Sequence, residues 1–376
     1  MTIPWWVLPQ SAALAVVHLY LWWRLVRNTT VRRRRLGTIL IIVLWALIVA
    51  ALVAMHVWDP AVAAWLVWPG FGWYALMIHL TLLLLLAEPV RAVIAWRRRS
   101  APVDPQRRLV LARGIAIAAG IAASGVTTYG VATAFSAPAV ERVAVRLRRL
   151  PPAASGFRIA VISDVHLGVM LGRAHTQRIV DVVNAENPDL IAIVGDLVDG
   201  TVQQLGPEAE PLRGLRSKHG TYFVTGNHEY ISGVEAWVQE LSRLGIRTLR
   251  NERVWLPGFD LAGINDVTGE ETGDAADFAK ALGGRNPDRP VVLLAHQPVH
   301  VHEAATHGVD LQLSGHTHGG QFIPVNFFTR LEQPMLAGLR NFGGTQLFVT
   351  RGAGFWGPPV RVGSSPEIGV VELIAI

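Results

Sequence analysis

Residues 157–166 have the sequence Phe-Arg-Ile-Ala-Val-Ile-Ser-Asp-Val-His, and residues 190–199 have the sequence Leu-Ile-Ala-Ile-Val-Gly-Asp-Leu-Val-Asp. Each begins with an apolar run that polar residues follow directly, which is typical of a strand buried on both faces. Apolar residues at helical spacing between 173 and 186 predict a helix that connects them. Similar runs predict further strands at 220–225, 259–264, 291–295, 311–313, 347–350 and 369–373. The second half of the chain is therefore predicted to be an α/β domain.

Polar residues follow five of these strands, and the ends of such strands meet at one edge of an α/β sheet. Asp164 and His166 are two residues apart, so extended backbone points both side chains to the same side. Imidazole and carboxylate ligands without thiolate, in a chain with no cysteine, suit zinc, manganese or iron. Their number implies two ions. The five blocks are Asp164–His166, Gly195–Asp199, Gly226–Glu229, His296 and Gly315–Gly320.

Taken together, Asp164-x-His166, Gly195-Asp196-x-x-Asp199, Gly226-Asn227-His228-Glu229, His296 and Gly315-His316-x-His318 resemble the motifs of the calcineurin-like metallophosphoesterases. The resemblance covers about residues 157–376 and implies a four-layered α/β/β/α sandwich with two central sheets. It also implies roles for nine residues: Asp164, His166 and His318 hold one metal ion, Asn227, His296 and His316 hold the other, Asp196 bridges both, and Asp199 orients a catalytic His228.

The reaction that this set predicts is hydrolysis of a phosphomonoester or phosphodiester. Two divalent ions activate a hydroxide and neutralise the phosphoryl oxygens. His228 has no metal to bind, and an imidazole that titrates near neutrality suits protonation of the leaving group. The ligands accept manganese, zinc or iron, so they do not identify the metal.

Two further stretches, Gly319–Gln321 and Trp356–Arg361, are similar to a membrane-associated bacterial subgroup of this family. Some members of that subgroup are exported by the twin-arginine route, and some cleave phospholipid-like or UDP-diacylglucosamine substrates. Arg351 and Arg361 are predicted to bind a second phosphate, and Trp356 to contact an acyl chain or a base. The alternative is that these residues only close the edge of the sheet.

The first half of the chain is predicted to be an all-α transmembrane region, residues 1–140. Four segments lack acidic and basic residues, and each reaches the ~20 residues that a helix needs to cross a bilayer. A linker is predicted at 141–156, because Pro151, Pro152 and Gly156 break both periodicities. The four helices are predicted at 4–23, 36–58, 60–87 and 114–140, and the metallophosphoesterase domain at 157–376.

Charge is distributed unevenly along the chain. Residues 1–150 contain 17 arginines and four acids, whereas residues 151–376 have a balance of −7. The arginines lie beside the apolar segments, which indicates membrane orientation and no nucleic-acid partner. Arginine-rich first and third loops are predicted to be cytoplasmic, which places the α/β domain outside the cytoplasm. Arg142, Arg146, Arg148 and Arg149 after the fourth segment favour the opposite orientation.

Residues 106–111, Gln-Arg-Arg-Leu-Val-Leu, resemble a twin-arginine export signal placed inside the chain. An ordinary basic stop before a membrane helix explains them equally well. For the whole protein, the sequence favours a membrane-anchored enzyme that acts on an amphiphilic or cell-envelope phosphoester. The alternatives are a nucleotide or UDP-diacylglucosamine-type pyrophosphate hydrolase and a non-catalytic membrane sensor.

Overall fold

The structure is a computed structural model that describes residues 6–30, 32–97 and 104–376. Its contacts divide the chain into two units, which are described separately. The first contains Met1–Ala132 and Gly357–Val360, and the second contains Thr133–Trp356 and Arg361–Ile376.

Helices make up most of the described residues of the first unit. Asp59 caps one of them, since its carboxylate accepts a hydrogen bond from the backbone N–H of Ala61 at 3.0 Å. A π-helical segment, Trp22–Arg27, follows the first helix. The helices are α1 Val7–Leu21, α2 Arg34–Val57, α3 Pro60–Leu86, α4 Glu88–Arg97 and α5 Pro105–Ala134.

Among the described residues, three helical stretches are long and apolar enough to cross a membrane: Arg34–Val57, Pro60–Ile94 and Pro105–Ala134. The first predicted span is helical from Val7 to Leu21, and its beginning at Pro4 lies outside the described residues. N-terminal apolar helices that could span a membrane are thus present.

Two predicted boundaries differ from the structure. The helix predicted at 114–140 begins at Pro105, because the carboxylate of Asp104 accepts from the backbone N–H of Gln106 at 2.9 Å and caps it, and it ends at Ala134. The linker prediction for 141–156 is wrong over its first half. Residues 139–147 form a strand that pairs in parallel with the last strand of the domain.

The second unit is built on two six-stranded sheets. The strands are β1 Ala139–Leu147, β2 Phe157–Ile162, β3 Leu190–Val194, β4 Thr221–Val224, β5 Ile246–Thr248, β6 Glu252–Leu256, β7 Phe259–Gly263, β8 Val291–Leu294, β9 Leu311–Ser314, β10 Gly338–Phe342, β11 Thr345–Val349 and β12 Glu367–Ala375. The first sheet has the order β1-β12-β2-β3-β4-β5, and the second has the order β10-β11-β9-β8-β7-β6. β2, β3 and β4 are parallel to one another, as are β7, β8, β9 and β11.

The domain core has three layers of apolar side chains. A central layer joins the two sheets, for example through Ile159 and Val292. Ile191 and its neighbours pack the outer face of the first sheet against helices, and Leu293 and its neighbours do so for the second sheet. The helices are α6 Arg173–Ala185, α7 Val202–Ala209, α8 Asn227–Ser232, α9 Val234–Arg243, α10 Phe278–Leu282, α11 Val301–Thr306 and α12 Val325–Glu332. The predicted α/β/β/α sandwich is confirmed.

Candidate metal centre

All five polar blocks of the sequence lie at the carboxyl ends of parallel strands. β2 and β3 in the first sheet lead to Asp164 and Asp196, and β4 leads to Asn227. In the second sheet, β8 leads to His296 and β9 leads to His316. The ends of the two sheets meet, so residues that are up to 154 positions apart in sequence come together in one buried cluster.

Five of these residues have a left-handed backbone that side chains rarely adopt. The φ angles are 52° for Asp164, 49° for His166, 52° for Asp196, 70° for His316 and 50° for His318. Such conformations persist only where the surrounding structure enforces them, and they cluster at functional sites. Their concentration here indicates that the strand ends are shaped to aim side chains at common points.

Glycines permit the close approach of these strand ends. Gly195 has a φ of 86°, and a Cβ added to it would lie 2.7 Å from both the Gly226 nitrogen and His296 Nδ1. A Cβ on Gly315 would collide with Ser163 Oγ. Any other residue at either position would push the neighbouring strand ends apart.

The first group of converging ligand atoms belongs to Asp164, His166 and His318. His166 Nε2 lies 3.1 Å from His318 Nε2, and His318 Nε2 lies 3.5 Å from Asp164 Oδ1. All three side chains are nearly or fully buried.

A second group belongs to Asp196, His296 and His316, with Asn227 beside it. His296 Nε2 lies 3.2 Å from Asp196 Oδ2, from His316 Nδ1 and from Asn227 Oδ1. The other nitrogen of the His296 ring, Nδ1, bonds the carbonyl of Val194 at 2.8 Å. That bond leaves Nε2 as the atom that faces the group.

Asp196 lies between the two groups. Its Oδ2 is 3.2 Å from His296 Nε2 and 3.9 Å from His166 Nε2. Atoms that share one ion through bonds of about 2.0–2.2 Å lie about 3.0–3.5 Å apart. The donor pairs His166–His318, His318–Asp164, His296–Asp196 and His296–His316 lie 3.1–3.5 Å apart. The donor set therefore fits two divalent ions that share Asp196.

His228 is held by a carboxylate at the edge of this cluster. Its Nδ1 lies 2.7 Å from Asp199 Oδ1, and the same oxygen lies 2.9 Å from His166 Nδ1. Burial lowers the pKa of His228, but Asp196 and Asp199 outweigh it and raise the pKa to about 9. Burial raises the pKa of the Asp199 carboxyl, and the imidazoles of His166 and His228 outweigh that and hold it below its ordinary value.

Glu229 is a buried member of the site to which the sequence gave no role. Its Oε2 accepts from the backbone N–H groups of Gly226 at 2.7 Å and Asp196 at 3.0 Å, and its Oε1 accepts from Leu197 at 2.8 Å. This carboxylate ties the loop after β3 to the loop after β4. The only sequence feature that could have indicated a role for Glu229 is its position in the block Gly226–Glu229.

Asp266 is a second buried acid that the sequence did not single out. It follows β7 at the same edge, and its Oδ1 accepts from Gln297 Nε2 at 3.2 Å. Its Oδ2 has no hydrogen-bond partner among the described residues. A position two residues beyond the predicted strand 259–264 could have indicated it.

The structure contradicts the prediction that Arg361 binds substrate. Arg361 is fully buried, and its guanidinium donates to the carbonyl oxygens of Gly354 at 2.8 Å and Arg351 at 2.9 Å. Its Nη2 also lies 3.1 Å from His318 Nδ1. Burial is tolerated because backbone oxygens occupy the guanidinium donors. Arg361 therefore supports a histidine of the first group.

The other two predicted substrate residues remain accessible. Trp356 is 50% exposed, and its ring centroid lies 5.8 Å from that of His228. Arg351 is paired with the carboxylate of Glu367 but keeps a partly exposed side chain. The structure thus places Trp356 beside the proposed proton donor and leaves Arg351 at the surface.

Comparison with known proteins identifies the class to which this site belongs. Residues 157–320 match the calcineurin-like phosphoesterase family. The chain is 35% identical over 355 residues to a Bos taurus transmembrane protein with metallophosphoesterase domain, which covers 86% of this chain and 79% of the relative.

Two other relatives carry similar names. A Danio rerio transmembrane protein with metallophosphoesterase domain is 39% identical over 259 residues, covering 65% of this chain and 59% of that protein. An uncharacterized metallophosphoesterase from Helicobacter pylori is 36% identical over 273 residues, covering 72% and 73%. The chain belongs to the calcineurin-like metallophosphoesterases, and it is a metal-dependent phosphoric ester hydrolase.

Proposed function

We propose that this protein is a membrane-anchored hydrolase of amphiphilic phosphoesters that uses two divalent ions. The observation that carries the proposal is the half-exposed ring of Trp356, which stands beside His228 at the edge of the donor cluster. An apolar ring next to the reacting groups suits a substrate with an acyl chain close to its phosphate. The candidate spans supply an anchor that concentrates the enzyme near lipids.

The donor set suggests how the ions are held. Asp164, His166 and His318 would bind one ion, whereas His296, His316 and Asn227 would bind the other, with Asp196 shared. When bound, such ions polarise the phosphoryl group and lower the pKa of water.

His228 is proposed to deliver the proton to the leaving group. Asp199 accepts a hydrogen bond from Nδ1 of the His228 ring and, with Asp196, raises its pKa to about 9, so the ring is protonated at neutral pH and Nε2 can donate its proton on the substrate side. Nε2 lies 3.9 Å from Asp196 Oδ2, so the proton is held beside the centre of the cluster.

The test is hydrolysis by the full chain in lipid nanodiscs supplied with manganese, using bis-p-nitrophenyl phosphate, a lipid-linked phosphodiester and a nucleotide panel. We expect turnover of the generic ester and preference for the lipid-linked one. Preference for nucleotides would favour the alternative of a nucleotide hydrolase, because the exposed ring of Trp356 can also stack on a base. No turnover of any of these substrates would contradict the proposal.

Substitution of the proposed proton donor tests the mechanism. His228→Ala is expected to retain both ions by elemental analysis and to lose about 10²–10⁴-fold in turnover, the usual contribution of acid catalysis. The exposed His302 provides a matched control, His302→Ala, with unchanged turnover. Loss of metal from His228→Ala would refute this role.

The catalytic domain is proposed to lie outside the cytoplasm, because short arginine-rich loops such as the first and third tend to stay on the cytoplasmic side. The residues resembling a twin-arginine signal lie in the first turns of α5 and are consistent with export. Because the chain has no cysteine, Glu270→Cys at an exposed site supplies a unique label position. Labelling of intact spheroplasts by an impermeant maleimide is expected, and labelling only after lysis would show a cytoplasmic domain.

A further inference from the structure

Helix α12 exposes an apolar face that no other described residue covers. Phe327, Phe328 and Leu331 are 58, 64 and 83% exposed, and Ile323 just before the helix is 54% exposed. At 100° per residue, the three helical residues fall on one side of α12. None of the eight residues of α12 is buried.

The helix is nonetheless fixed to the domain at both ends. At its beginning, α12 packs on the turn His318–Gly320, where a Cβ on Gly320 would lie 2.5 Å from Asn326 Cβ. Just after its end, Gln333 is buried and accepts from the backbone N–H of Val299 at 3.0 Å. Because the helix is held in place at both ends, its exposed apolar face is a fixed feature of the fold. Exposed apolar patches of this kind mark interaction sites.

The same segment adjoins the mouth of the catalytic site. The side chain of Gln321, two residues before Ile323, donates to the carbonyl of Trp356 at 2.9 Å and accepts from its N–H at 3.2 Å. Trp356 in turn stands against His228. Exposed apolar side chains therefore extend from the edge of the metal cluster onto α12.

The chain itself indicates what covers this face. The last candidate span ends at Ala134 and β1 begins at Ala139, so only four residues connect them. Four residues reach at most about 14 Å. With α5 as a membrane span, as proposed above, the catalytic domain would be tied close to a bilayer surface.

The apolar face of α12 also suits a position in the bilayer interface. It presents two phenylalanines and a leucine on one side and carries one arginine and one glutamate, Arg330 and Glu332. With no net charge, it would be drawn by its apolar area more than by anionic headgroups.

We infer that α12, with Ile323, Phe327, Phe328 and Leu331, lies in the surface of the bilayer that anchors this protein and holds the mouth of the catalytic site at headgroup depth. The occupant of the apolar face is lipid. This inference concerns a surface outside the metal cluster, and its test requires no catalysis.

The test places one environment-sensitive fluorophore in the cysteine-free full chain, through Phe328→Cys or, at the most exposed position, Leu331→Cys. The matched control is Trp255→Cys, an exposed aromatic position on β6, at the opposite edge of the second sheet from β10. In proteoliposomes, we expect blue-shifted emission at 328 and 331 and quenching by nitroxide lipids. The control label should show neither effect.

Two further measurements determine how deep the labels lie in the bilayer and whether lipid or a second copy of the protein covers them. Quenching should be stronger with the nitroxide near the glycerol than at the chain end, because interfacial helices lie about 5–10 Å into the headgroup boundary. The quenching should persist in nanodiscs that hold one copy of the protein, and it should change little with the fraction of anionic lipid. Water-exposed labels in proteoliposomes would overturn the inference, and so would shielding that appears only with two copies per disc.

Discussion

His175 gives the stability of the catalytic domain a pH dependence of its own. The side chain lies in α6, is 3% exposed, and has no hydrogen-bond partner for either ring nitrogen among the described residues. Burial, with smaller contributions from Arg178 and Arg361, lowers its pKa to about 4. The perturbation is His175→Leu, an apolar side chain of similar size that leaves no partner unpaired.

The sign follows from proton binding. Between pH 6.5 and pH 4 the unfolded chain binds a proton at His175 and the folded chain does not, so stability falls as the pH falls through this window. With pKa values of about 4 folded and about 6.5 unfolded, the loss at pH 5 is about 2 kcal/mol relative to pH 8. For a domain of this size, that corresponds to roughly 4–8 °C in melting temperature.

The assay is thermal unfolding of the full chain at pH 8 and pH 5, for the native sequence, His175→Leu and the exposed control His302→Gln. Because other groups also titrate, the quantity of interest is the change in melting temperature between the two pH values. His175→Leu should lose several degrees less than the other two proteins. Equal losses in all three would show that His175 is already able to take up a proton in the fold.

Three further substitutions test the surroundings of the metal cluster. Asp199→Asn should lower metal affinity or turnover about 10–100-fold, because one carboxylate oxygen orients both His166 and His228, and titration with manganese followed by initial rates will separate the two effects. Arg361→Met should weaken binding of at least one ion by about tenfold or more in calorimetry, since it removes the support of His318, whereas the exposed Arg340→Met should not. Trp356→Ala should raise KM for a lipid-linked ester and leave that for bis-p-nitrophenyl phosphate unchanged, and equal effects on both would contradict its role in binding the apolar part of the substrate.

The metal cluster could be predicted because its signal is local. Each block follows an apolar run, and strands of a covered α/β sheet deliver their carboxyl ends to one edge whatever their order. The pairing of twelve strands into two sheets carries no comparable local signal. The second sheet was therefore predicted only from the resemblance to the metallophosphoesterase family. The edge strand β1 was missed because most of its residues are exposed and its alternation is clear only at its end, at Val145 and Leu147.

Arg361 shows where reasoning from residue type fails. Arginine is almost never fully buried unless its charge is paired, so an arginine in a Gly- and Pro-rich loop is expected to face solvent or substrate. Here the carbonyl oxygens of the same loop accept hydrogen bonds from the Arg361 guanidinium. These contacts depend on a backbone conformation that the sequence does not reveal. The same holds for Glu229, whose partners are three backbone N–H groups from two loops.

These two buried side chains, Glu229 and Arg361, also explain how the strained strand ends are maintained. Glu229 accepts backbone N–H groups beside Asp196, and Arg361 donates to backbone carbonyls beside His318, both residues with left-handed φ. Both side chains are buried, so neither is available to contact a substrate directly. Each instead fixes the loop that aims a donor at the ions. Substitution of Glu229 or Arg361 should therefore lower metal affinity first, and should lower turnover only as a consequence. Substitution of Trp356 differs, because it should raise KM alone.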